Sequence, residues 1–227
     1  MTRLGSLTTG EAGERSGSTL RVPLGSIEQH GPHLPLDTDV VIAEAIAAGV
    51  VAAAPDAFVL GPTIAVGAAG EHEGFAGTLS IGNDALASML VELRRGLGPE
   101  FPVLAVVNAH GGNVEALTAA RDLSTAEGRD LRAWTIHTDG ADAHAGRTET
   151  SLMLAIAPGA VRVDRMEAGA TAPLRELLPE LRADGVAGVS PNGVLGDPTG
   201  ASAEEGAEVL VELIGAARRA LDPGMAP

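Results

Sequence analysis

The stretch PLGSIEQHGPHLPLDTD, Pro23 to Asp39, sets Glu28, His30, His33, Asp37 and Asp39 among prolines and glycines. It is too polar for a core strand and too broken for a helix. Imidazoles and carboxylates at this density suit N/O metal ligation. In extended chain, residues i and i+2 point to the same side, so Glu28 and His30 can reach adjacent ions. The plainer alternative is a polar strand end facing water. Asp39 equally suits a helix N-cap, and Asp37 shares that alternative. His33, between two prolines, fits a surface loop.

Three further segments carry the same residue types. NAHGGN, Asn108 to Asn113, places His110 at the end of an apolar run, followed by two glycines. Gly111 and Gly112 let backbone approach a ligand closely at a helix N-terminus. With Asn113 and His33 they are candidates for holding substrate or an oxyanion. A plain strand-to-helix turn explains the glycines but not the His and two Asn around them. DAHAGRTETS brings His144 and Glu149. Glu149 also fits the first turn of a helix, where a carboxylate is favoured. GEHEG holds His72 between glutamates, as a solvated loop would, and His137 closes an apolar run as a structural His could.

The absences narrow the chemistry. There is no Cys, Tyr or Lys, and all 15 basic residues are Arg. Thiolate, disulfide, Schiff-base and phenol chemistry are therefore excluded. No G-x-S-x-G elbow or G-x-G-x-x-G fingerprint is present. Two or three His and three carboxylates remain, a set suited to Zn, Fe or Mn. Two ions sharing one Asp would activate water and polarise a carbonyl. The formal net charge of −15, with no basic cluster, argues against nucleic acid. No apolar run reaches membrane-spanning length, and the N-terminus lacks a signal-peptide pattern. A cytoplasmic location is the default expectation.

These residues need a scaffold. Apolar residues make up 45% of 227, with aromatics only 2%, so the core is built from aliphatic side chains. Residues 1–18 read as a loose arm and 19–227 as one domain. Strands are expected at Thr19–Leu24, AFVLGP, FPVLAVVNAH and DLRAWTIH. Helices are expected near 39–54, 83–97 (capped by Asn83), 114–126, 148–156 and 202–221, with 158–200 irregular. Strands alternating with helices imply an α/β fold with a mainly parallel sheet. In such folds the site lies beyond the carboxyl ends of the strands, where all three His-bearing motifs fall.

P-x-G-S-x-E-Q-H-G-x-H-L-P-L-x-T-D, N-x-H-G-G-N, H-A-G-x-x-E-T-S and G-V-x-G-D-P together resemble the creatininase family of metal-dependent amidohydrolases. The resemblance runs from about Val22 to Gly206. It implies a three-layer α/β/α sandwich, two divalent metal ions and a homo-oligomer, a hexamer by family resemblance. By position, Glu28 and His30 would each bind one metal, Asp39 would bridge them, and His110 would be a further ligand. His144 matches a residue that helps bind substrate and passes a proton to the leaving nitrogen. Creatininase itself has Tyr–Glu where this chain has Gly111–Gly112, and that Glu is a ligand. Glu149 is expected to supply the missing carboxylate.

Within the family, GEHEGFAGTLSIG, DAHAGRTETS and GVLGDPTGASAEEG look most like the branch encoded with the mycofactocin system. That likeness implies a peptidase acting on a modified precursor peptide and releasing its terminal valine–tyrosine-derived unit. Two rivals remain: a formamide hydrolase of flavin-type cofactor biosynthesis, and a non-catalytic metal- or nucleotide-binding module.

Overall fold

Four parallel strands form the middle layer, in the order β2-β1-β3-β4. They are β1 (Thr19–Leu24), β2 (Phe58–Leu60), β3 (Val103–Asn108) and β4 (Asp130–Thr135). The computed structural model describes residues 1–138 and 140–222; Asp139 and the last five residues of the expected domain lie outside the described residues. Leu24 pairs with Asn108 and Asn108 with Thr135, so the three longer strands end level at one edge.

The chain leaves β1 for β2 on one side, then returns to place β3 on the other. Right-handed crossovers therefore send helices to opposite faces. The point of reversal, between the carboxyl ends of β1 and β3, is where such sheets open a crevice.

Alternation along β3 shows why its apolar run is continuous. Ala105 and Val107 join one core with helices α2 (Thr38–Ala53), α5 (Arg147–Ile156) and α7 (Ala203–Leu221). Leu104 and Val106 join the other with α3 (Asn83–Gly96) and α4 (Val114–Ala126). A parallel strand covered on both faces has no solvent side to be polar on. The three-layer sandwich expected from the sequence is thus the observed fold. In β1, Leu20, Val22 and Leu24 face the α3–α4 core. Arg21 is fully buried, pairs with Asp222 just beyond α7, and stacks over Phe58 at 4.2 Å.

Several local expectations differ from the structure. Residues 1–18 are not a loose arm throughout. Helix α1 (Thr9–Glu14) carries a capping box between Thr8 and Glu11, and Leu60 N–H donates to Thr2 O at the edge of β2. Helix α3 begins after Gly82, at φ 75°, and Asn83 is its first residue rather than its cap. The 158–200 segment contains helix α6 (Leu174–Val189), which is kinked at Gly185 and holds Pro179. Proline and glycine masked the helical spacing of Leu174, Leu178 and Leu181. Among the described residues no helix is long and apolar enough to cross a membrane.

The start of α2 matters most for the site. Asp37 occupies the N-cap position, exposed and without a side-chain cap bond, while Asp39 is buried in the first turn. Neither aspartate takes the capping role that was its alternative. Gly25, directly after β1, lets the helix come close: a Cβ there would meet Val40 N at 2.5 Å and Asp39 C at 2.8 Å. Gly25→Ala is expected to push the α2 N-terminus away, costing about 1–3 kcal/mol. Denaturant melts with and without added Zn²⁺ check this. The metal-induced rise in midpoint should shrink in the variant, because Asp39 moves with the helix.

Candidate metal centre

β1 ends at Leu24, and the loop that follows carries Glu28 and His30 over the switch point. Helix α2 delivers Asp39 back to them. β3 ends at Asn108 and delivers His110. The turn before α5 brings His144, and the first turn of α5 brings Glu149. Glu28, His30, Asp39, His110 and His144 are buried, between 0% and 7% exposed.

Three sets of three could each hold an ion: Glu28 with His72 and His144, and two that flank Asp39, namely Glu28 with Asp39 and His110, and His30 with His144 and Glu149. Asp39 touches both, with Oδ1 3.2 Å from His30 Nε2 and Oδ2 3.3 Å from His110 Nδ1. Glu28 Oε1 lies 3.2 Å from His110 Nδ1, and Glu149 Oε2 lies 3.8 Å from His30 Nε2.

Backbone carbonyls settle which ring nitrogens face inward. A carbonyl only accepts, so His30 Nδ1–H donates to Glu28 O at 3.1 Å and His110 Nε2–H to Ala68 O at 3.1 Å. Their inner nitrogens, Nε2 and Nδ1, are left with the lone pairs a metal needs. Glu28 Oε1 and Oε2 and Asp39 Oδ2 accept no hydrogen bond of good geometry among the described residues, although imidazole nitrogens stand 3.0–3.3 Å away. Buried carboxylate oxygens without bonds are costly, and donors aimed at a common point rather than at one another fit cations.

The charges respond accordingly. Burial opposes ionisation of Glu28, but His110 and His72 hold it well below the usual carboxylate range. Burial depresses His30, yet Asp39, Glu149 and Glu28 raise it to about 9. His110 is likewise lifted well above its ordinary value, against burial, by Asp39 and Glu28. Burial raises Glu149 to about 7. Burial, with His30 and His72, keeps His144 well below its ordinary value. Without metal, protons on His30 and His110 stand in for the cations.

The other sequence candidates separate. Gly111 and Gly112 line the cavity above the cluster. No side chain fits at position 112: a Cβ there would overlap Glu71 Oε1, Ala68 O and His110 Nε2. Asn113 and His33 do not reach the cavity, which corrects their expected role with substrate. Asn113 spends its amide on Ala68 N–H, Gly25 O and Asn108 Oδ1, tying three loops together. His33 is buried with Nε2 2.9 Å from Thr150 Oγ1, and burial lowers it to about 4. It fastens the first loop to α5, next to Glu149. His137 is exposed and outside the cluster.

Three participants escaped the sequence reading. His72, expected in a solvated loop, is 3% exposed with Nε2 3.0 Å from Glu28 Oε1. Gln29, inside the first motif, places its amide nitrogen 2.9 Å from His72 Nδ1 and 3.0 Å from His144 Nε2. Glu71 also reaches the site, with Oε1 3.4 Å from His110 Nε2. The usable signal was that GEHEG, too, lies on a connection leaving the carboxyl end of a strand.

The cavity over this cluster has a volume of about 900 Å³. Asp39, His110, His144 and Glu149 form its floor, and Leu174, Leu178 and Leu181 of α6 its far wall.

A parallel α/β/α sandwich with an acidic, His-rich N/O donor centre at its switch point defines the class. Residues 5–221 match the family described as Creatininase: Creatinine amidohydrolase. A relative from Mycolicibacterium smegmatis named mycofactocin precursor peptide peptidase is 52% identical over 197 residues, covering 85% of this chain and 80% of its own. One of the same name from Mycobacterium tuberculosis H37Rv is 49% identical over 219 residues, covering 93% and 87%. A creatininase with a tryptophan-to-phenylalanine substitution superposes with a TM-score of 0.81 at 25% identity over 99% of both chains. A structure titled "Creatininase Mn" gives 0.80 at 24%, over 100% of this chain and 99% of its own. The chain belongs to the creatininase family.

Metal binding to this cluster should release protons, because His30 at about 9 and Glu149 at about 7 hold them in the metal-free protein near neutrality. Protons compete for the free form, so apparent affinity should rise with pH up to about 9 and fall below it. Each displaced proton contributes roughly tenfold per pH unit. Zn²⁺ titrations by calorimetry in buffers of different ionisation enthalpy read both the proton count and the slope. A pH-independent affinity would contradict the assignment.

Proposed function

We propose that this protein is a dinuclear-metal peptidase that hydrolyses the modified C-terminus of the mycofactocin precursor peptide and releases its valine–tyrosine-derived unit. The observation that carries the dinuclear part is Asp39, whose two oxygens face separate imidazoles, His30 and His110. The relatives' names supply the substrate, and the α6 leucines lining a cavity of about 900 Å³ suit a bulky, aromatic peptide end.

Glu28, Asp39 and His110 would hold one ion and His30, Asp39 and Glu149 the other. Bound Zn, Fe or Mn would supply an activated water and Lewis-acid polarisation of the scissile carbonyl. Glu149 takes the place of the carboxylate that the family resemblance expects at position 112, where only glycine fits. Ala145 N–H holds Glu149 Oε2 at 2.6 Å, from a backbone at φ 52° that is unusual for alanine.

The chain's own groups do the rest. The backbone N–H groups of Gly111 and Gly112 are assigned to the carbonyl oxygen as charge develops on it. His144 lies buried on the cavity floor with Nδ1 3.8 Å from Glu28 Oε1. We assign it to take a proton from the attacking water and deliver it to the leaving amine. His30 is fixed by Glu28 O, so it cannot turn to share that task. The reading extends to a cytoplasmic homo-oligomer, and sedimentation velocity reports the assembly directly.

Incubation of metal-loaded protein with the modified precursor peptide, read by mass spectrometry, should yield the released unit. A formylamino-pyrimidine should survive under the same conditions. Asp39→Asn should lose metal and lower kcat/KM by more than about 100-fold, beyond the 10–100-fold typical of outer-shell partners. Two retained ions with full activity in the variant would overturn the bridging role. Full metal loading of the unmodified protein with no turnover of any amide would favour a binding module instead.

A further inference from the structure

Gln29 lies between two metal-ligand candidates in sequence, is 5% exposed, and is not itself aimed at the cavity. Its amide orientation is settled by two backbone groups of fixed polarity. Gly31 N–H donates to Oε1 at 3.0 Å, and Gly193 O accepts from Nε2 at 2.9 Å. Gly193, at φ 81°, packs so closely that a Cβ there would overlap Oε1. One Nε2 hydrogen is thus committed to Gly193, and one remains.

Two imidazole nitrogens compete for it: His72 Nδ1 at 2.9 Å and His144 Nε2 at 3.0 Å. His144 Nε2 is also 2.8 Å from the Gln29 carbonyl oxygen, which can only accept. His144 therefore carries its proton on Nε2 and has no lone pair there. The remaining amide hydrogen goes to His72 Nδ1, and the neutral His72 ring must carry its own proton on Nε2.

The consequence lies on the inner side of both rings. His144 places a bare Nδ1 3.8 Å from Glu28 Oε1, while His72 places a protonated Nε2 3.0 Å from the same oxygen. We propose that Gln29 is a positioning residue that gives these two neighbouring imidazoles opposite inward faces. His144 is left able to accept a proton or a metal. His72 is barred from ligation and held as a proton-bearing neighbour of Glu28. The geometric grouping of Glu28, His72 and His144 as a further ion site is then excluded by the His72 proton. The effect on turnover rests on the peptidase reading above; the tautomers do not.

The test uses full-length, Zn²⁺-loaded protein with 15N-labelled histidine, whose long-range 1H–15N spectra distinguish the two tautomers. The wild type should show His72 and His144 both protonated on Nε2. Gln29→Met keeps the volume but removes the amide hydrogen, so His72 should become a tautomer mixture while His144, held by the backbone carbonyl, stays unchanged. Gln29→Glu, which accepts at this position, should move the His72 proton to Nδ1. With two ions retained and an unchanged melting curve, kcat on the precursor peptide should fall about 10–100-fold with KM little altered. His72 staying on Nε2 in both variants would overturn the proposal. A shifted tautomer with unchanged kcat would overturn its catalytic half. If the wild type leaves the peptide intact, the peptidase reading fails, and the spectra still decide the role of Gln29.

Discussion

Three carboxylates meet in one largely buried cluster. Like charges about 4 Å apart cost roughly 4 kcal/mol at an effective dielectric near 20, so Glu28, Asp39 and Glu149 cannot stay ionised together unless cations lie between them. Much of the surrounding structure answers that constraint. Imidazoles line the gap, and backbone carbonyls on the outer side of His30 and His110 turn their lone pairs inward. In the metal-free protein, protons fill the role incompletely: His30 is pushed to about 9 and Glu149 to about 7. Divalent cations held by these residues would remove the conflict that protons only moderate.

The fold supplies the pocket as a by-product of strand order. Because β1 and β3 are neighbours whose connections leave toward opposite faces, their carboxyl ends part without a covering helix. Loops from both, and the α2 N-terminus brought near by Gly25, then fill one crevice. The parallel sheet buries both faces of β3, so His110 stands on a rigid base. Asn113 and His33 hold the loops that carry the candidate ligands. A centre that must keep several charges within a few tenths of an ångström needs such fastening.

The absence at Gly112 of the carboxylate that the family resemblance leads one to expect has a structural account. Glu71 and the Ala68 carbonyl occupy the space a side chain there would need. Glu149, which we propose supplies that carboxylate instead, sits on a helix fastened by Thr150 to His33, and its Oε2 accepts from the Ala145 N–H. The opposite wall, built by α6, presents Leu174, Leu178 and Leu181 beside Arg182 and Asp184, and is kinked at Gly185, which rests against the Glu71 carbonyl. The element lining the cavity thus packs on the turn that carries His72.

Local chemistry in the sequence determined the strand–helix alternation, the parallel sheet, and the gathering of Glu28, His30, Asp39, His110, His144 and Glu149 at one rim. Those features depend on short-range patterns: apolar runs, glycine breaks, and polar motifs placed just after strands. Tertiary structure alone decided the part of His72, the demotion of His33 and Asn113, the helix hidden behind Pro179 and Gly185, and the work of Gln29. The physical reason is separation along the chain. Gln29 and Gly193 are 164 positions apart, and Gln29 and His144 are 115 apart. A hydrogen-bond network is set by distance and direction in space, and no local periodicity encodes which distant ring an amide will face.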